Sequence, residues 1–128
     1  MAAITEEYEK RFDEHKKAIE RIVINIGEKN ELGDKTEEFL EHFNYNKEFL
    51  QLLVKCMKTY LKTKKEDDGK KISNLIIRCF DDAQYHLEKM RDIINNSNHP
   101  RKESIKKVIN DFIKDILKLW GPVDSSFQ

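Results

Sequence analysis

The sequence predicts an all-α protein, an antiparallel up-down four-helix bundle. Three observations carry that reading. Apolar residues recur at three- and four-residue spacing through four long segments, the period of a helix with one buried face. Only four glycines and two prolines occur in 128 residues, and they fall where those segments should end. The connections are short, so consecutive helices pack as antiparallel neighbours. The expected helices cover residues 5–27, 34–62, 72–95 and 100–120. They pack in coiled-coil fashion within a single domain, 1–128, whose last residues, 122–128, form a loose tail.

The first helix starts at Thr5, where Glu6 and Glu7 suit the positive end of the helix dipole. Its stripe is Tyr8, Phe12, Ile19, Ile22, Val23 and Ile26, and Gly27 is the expected stop. Gly33 then occupies a turn, and Asp34 with Glu37 has the spacing of a capping box for the second helix. On that helix Phe39, Phe43, Phe49, Leu50, Leu53, Cys56, Met57, Tyr60 and Leu61 share an arc broad enough for two neighbours. Asn44, Tyr45 and Asn46 are weak helix formers, which marks a place for a kink. The lysine- and aspartate-rich run around Gly69 reads as a solvated turn. Ile72, Ile76, Cys79, Phe80, Ala83, Leu87, Met90 and Ile94 follow as the third stripe. Pro100 belongs in the first turn of a helix that buries Ile105, Val108, Ile109, Phe112, Ile116, Leu119 and Trp120, with Gly121 and Pro122 as its stop.

Lysine plus arginine equals aspartate plus glutamate at 24 each, which argues against a dedicated nucleic-acid binder. The charge is uneven along the chain. Residues 1–50 carry 8 basic and 13 acidic side chains and the remainder 16 and 11, leaving halves of −5 and +5. Cys56 and Cys79 sit on apolar stripes, with no CxxC or zinc-type spacing, so they read as small core hydrophobes in a reducing compartment. The N-terminus shows no apolar leader, and no apolar run approaches the ~20 residues that span a bilayer. The expectation is a soluble, cytoplasmic protein.

Polar residues interrupt the stripes at His15, His42, Asn46 and His86. His15 and Asn46 each lie about 15 residues from the first turn, and Asn46 and His86 about 20 from the second. At 1.5 Å per residue their levels should agree to within ~6 Å, giving one mid-height polar layer. Two short segments, Phe12-Asp-Glu-His15 and Glu41-His42 to Asn46, resemble the first two ligand segments of hemerythrin-type oxygen-binding bundles. In that family a helical histidine is followed by a histidine and a glutamate four residues apart. His15 and His42 fall on the histidine positions, and Asn46 stands where the glutamate would be. Asp82 and His86 stand where the family has a histidine pair, and the fourth helix has no histidine. The resemblance implies a metal layer with His15, His42 and His86 as its candidate ligands. The residues themselves imply a hydrogen-bonded layer that fixes helix register, with no metal and no cofactor.

Other chemistry is scarce. No glycine-rich phosphate loop, nucleophile elbow or HExxH motif occurs, so an enzyme is not expected. Binding surfaces are sought in apolar residues that the core does not use. Ile24, Leu40, Ile77 and Tyr85 stand off their stripes, and Tyr45, Leu52 and Leu117 stand at stripe edges. Ile77, Tyr85, Leu52 and Tyr45 are the protein-binding candidates. Lys55, Lys58, Lys62, Lys64, Lys65, Lys70 and Lys71 form a basic cluster that could meet an anion or a lipid surface, interrupted by Glu66, Asp67 and Asp68. The sequence thus points to a non-enzymatic adaptor, scaffold or regulatory module that binds a protein, either a partner or a second copy. The alternative is a bundle that holds a metal at its histidines or a small apolar ligand in its core.

Overall fold

A computed structural model describes the backbone of residues 2–62 and 66–126, and the side chains of residues 5–60 and 70–118. Four helices form the protein: α1 (Ala2–Lys29), α2 (Thr36–Lys62), α3 (Glu66–Asn95) and α4 (Lys102–Ser126), with a 3-10 turn, Gly33–Lys35, before α2. The helices pack in a ring, α1 on α2, α2 on α3, α3 on α4 and α4 on α1; the α2–α3 interface is the most extensive and α1–α4 the least. Paired residues show the antiparallel sense. Gly27 meets Leu40 at one end of α1 and α2, and Glu9 pairs with Lys58 at the other. His42 meets His86 and Asn46 meets Ala83 between α2 and α3. Arg91 donates to Asn110, and Lys106 to Asn95, between α3 and α4.

The core is the meeting of the four expected stripes. Tyr8, Ile26, Phe39, Leu53, Met57, Ile76, Leu87, Met90, Ile94 and Phe112 are fully buried in one cluster, and Ile22, Phe49, Tyr60, Ile72 and Val108 pack at its edge. Ile113, outside the expected stripe, is buried as well. Leu61, Leu119 and Trp120 lie outside the described side chains.

The helix ends differ from the sequence reading in ways the backbone explains. α1 runs through Gly27 to Lys29 and stops at Asn30, which takes the left-handed conformation (φ 48°). Glu31 N–H reaches back to the Ile26 carbonyl and Asn30 N–H to that of Gly27, closing a Schellman motif. Gly27 is instead a packing residue, since a Cβ there would stand 3.3 Å from Leu40 Cδ1. The capping box at Asp34 and Glu37 does not form. Asp34 lies in the 3-10 turn, and the Thr36 hydroxyl accepts the Leu32 N–H at 3.1 Å. α3 starts at Glu66, inside the expected turn, and carries Gly69 as a helical residue. The Glu66-Asp67-Asp68 sequence is the acidic chemistry that a helix N-terminus favours. α4 passes Gly121 and Pro122 and ends at Ser126, so residues 122–126 are helical and not a loose tail. Proline removes one donor from that last stretch without ending it. α2 is unbroken through residues 44–46, and no kink-forming break in the helix occurs there.

At the closed end His99 joins two connections. Its Nδ1 accepts the Arg101 N–H at 3.0 Å, in the manner of a helix N-cap. Its buried Nε2 lies 3.4 Å from Glu31 Oε1 in the α1–α2 connection. Among the described residues neither atom has a hydrogen-bond partner, so the two loops face each other through this ion-pair contact alone.

Candidate protein-docking face

Asn46 is the buried polar residue of the α2–α3 interface. Its Nδ2 donates to the Ala83 carbonyl at 2.9 Å, a bond between helices in an otherwise apolar strip. One turn earlier on α2, His42 Nδ1 meets His86 Nδ1 at 2.9 Å, one ring donating and the other accepting. His86 is the hub of an aromatic group. Phe49 and Tyr45 stack on it with centroids at 5.6 and 5.1 Å, and Tyr85 meets it edge-on at 5.1 Å. Burial, then the neighbouring His42, pushes the His86 imidazole below the ordinary histidine range, while Asp82 acts in the opposite direction.

The outward rings of this group remain in solvent. Tyr45 is 50% exposed and Tyr85 48%, side by side across His86. Leu52 lies two helical turns along α2 from Tyr45 and is 42% exposed. Leu75 lies eleven residues, about three turns, from His86 and therefore on the same side of α3; it is 45% exposed. Among the described residues these four make up most of the exposed large hydrophobics, Ile24 and Leu117 being the others. The sequence reading missed Leu75, although its spacing from His86 carried the signal. Ile77 departs from the expected group. It is half-buried and sits nine residues from His86, on the opposite side of α3.

His15 does not join the other polar residues. Its Nε2 lies 2.9 Å from Asp115 Oδ2 on α4, its ring stacks on Phe112 at 4.6 Å, and Arg11 donates to the second Asp115 oxygen at 2.8 Å. The expected single layer therefore divides into an α2–α3 seam and an α1–α4 seam. The two sides are set by which face of its helix each residue occupies, and the first turn sets their heights. Because Gly27 faces Leu40, the turn is centred near Gly33 and Asp34, which sets His15 level with Leu52 and about 9 Å along the axis from Asn46. Across the second connection His86 stands opposite His42 and Asn46 opposite Ala83, so Asn46 and His86 share one interface about one turn apart instead of one level. Among the described residues no three His, Cys, Asp or Glu side chains gather as a metal site.

Cys56 and Cys79 contact each other between α2 and α3; burial pushes both thiols up, Cys79 to about 11, which keeps them protonated and unreactive near neutral pH. Of the lysine cluster, Lys58 pairs with Glu9, and Lys55, Lys70 and Lys71 are exposed; the side chains of Lys62, Lys64 and Lys65 lie outside the described ones. Among the described residues no helix is long and apolar enough to cross a membrane. No protein-family model matches the chain, and comparison with curated proteins and with solved structures returns no significant match.

Proposed function

We propose that this chain is a non-enzymatic interaction module that docks a protein on its α2–α3 face. The observation that carries the reading is the grouping of Tyr45, Leu52, Leu75 and Tyr85 on that face, each close to half exposed. Tyrosines of this kind supply large contact area at low entropy cost, and they act as anchors when a partner desolvates them. The most extensive helix interface lies directly beneath, so two closely packed helices present the surface. Glu41, Asp82, Arg78 and Lys89 border it and would set orientation and association rate. The free, buried Cys56 and Cys79 support a reducing, cytoplasmic setting.

The test is quantitative affinity capture with wild type and with a Tyr45→Glu, Tyr85→Glu double variant whose helicity and melting are checked first. The expected result is a set of proteins, or the chain's own second copy, that wild type retains and the variant loses. An identical set from both proteins would contradict the proposal.

A further inference from the structure

A groove of about 550 Å³ runs between α1 and α2, away from the α2–α3 face. That size falls within the range of small-molecule sites. Phe12, Leu50 and Val54 line it as apolar residues. On α2 its lining extends from Lys47 to Thr59, about 18 Å of helix. Its two ends differ in charge. At one end Glu9 and Lys58 pair across the groove from α1 to α2 and neutralise each other. Midway, Asp13 and Lys55 stand on opposite walls, and the hydrogen bond from Lys17 holds the Asp13 carboxyl below its usual range. At the other end Lys16 stands on the α1 wall level with Gln51, and Lys47 on the α2 wall one turn further along. Lys16 has only a 3.9 Å contact with Asp13, whose nearer partner is Lys17 at 3.0 Å. Lys47 lies 5.2 Å over the Phe43 ring and makes no ion pair among the described residues; neither Lys16 nor Lys47 pairs with Glu20, one turn beyond Lys16. An apolar trough thus ends in surplus positive charge at one end and in a closed ion pair at the other.

We infer that the α1–α2 groove binds a single-chain anionic amphiphile, a long-chain carboxylate. Its hydrocarbon tail lies over Phe12, Leu50 and Val54 toward the Glu9–Lys58 pair, and its carboxylate sits between Lys16 and Lys47. The apolar residues supply the affinity through buried methylene surface, and the two ammonium groups fix the direction of the chain. A cationic amphiphile would set its head against the same two lysines, so the site selects the sign of the head group.

The experiment is titration of laurate, below its micelle concentration, into isotope-labelled full-length protein followed by NMR. The expected result is saturable shifts centred on Phe12, Leu50 and Val54. In a Lys16→Glu, Lys47→Glu variant, which changes two partly exposed side chains outside the core, affinity should fall about tenfold or more while the protein stays folded by circular dichroism. Dodecyltrimethylammonium should give no saturable shifts at those positions. No saturable laurate binding, equal binding of the cationic probe, unchanged affinity in the double variant, or shifts centred on the α2–α3 face would each overturn the inference.

Discussion

Asn46 shows what a single polar residue contributes to this bundle. It is buried among apolar side chains, and one hydrogen bond to Ala83 across the α2–α3 interface satisfies its amide nitrogen. Asn46→Ala removes that bond and leaves a void, and should lower unfolding free energy by about 1–3 kcal/mol in urea titration. Asn46→Leu fills the volume without a polar group and should be close to neutral, because both the bond and its desolvation cost are removed. His86 gives the fold a pH dependence of definite sign. Its folded-state imidazole is harder to protonate than the free side chain of pKa 6.5, for reasons of burial and of His42 beside it. The unfolded chain therefore takes up the proton first as pH falls. Stability should decline as the pH drops through 6.5 toward the depressed folded value, and be unaffected by this group above that window. His86→Phe keeps a flat ring between Tyr45 and Phe49, and thermal melts from pH 7 to pH 5 should show a smaller loss in that variant. An unchanged slope would assign the dependence to other groups.

The helix elements were legible where periodicity alone decides, and less so where the ends depend on backbone detail. Among the described side chains the four stripes form the core and its edge, because burying one face is what turns such a segment into a helix in water. The ends were harder to read. Gly27 has the signature of a stop, yet it is a contact point for Leu40, and the left-handed residue is Asn30. Gly69 and Pro122 likewise read as breakers and are carried within helices, since one unfavourable residue costs less than the rest of a long helix contributes. The first connection offers a paired test. Asn30→Gly removes the side chain from a left-handed position and should raise stability by up to about 1 kcal/mol. Gly33→Ala meets no atom within 4 Å, yet its φ of 59° makes the substitution cost about 1–2 kcal/mol on conformational grounds alone. Thermal melts of the two variants should move in opposite directions.

At the scale of the whole molecule, the centre of the first turn sets the relative heights of the polar residues on α1 and α2. A shift of about three residues at the first turn moves every α1–α2 pairing by twice that amount. His15 meets Asp115 on the α1–α4 side, while His42, Asn46 and His86 share the α2–α3 side, a division set by the face of each helix and not by its height. Asp115 was invisible as a partner, because the contact joins residues 100 positions apart and only the ring of four helices brings them together. The candidate docking face was partly legible: Tyr45, Leu52 and Tyr85 stood off their stripes or at stripe edges, whereas Ile77 is half-buried and lies on the side of α3 opposite His86. What separates these residues is the rotation of each helix about its own axis, which depends on its two neighbours and not on its own sequence. The central claim is that the histidines serve two separate structural seams, and side-chain NMR of the histidines at a fixed pH tests it most directly. His86→Phe should displace the His42 resonances and leave His15 in place, and Asp115→Asn should displace His15 alone. Displacement of His15 by the His86 substitution, or of His42 by the Asp115 substitution, would contradict it.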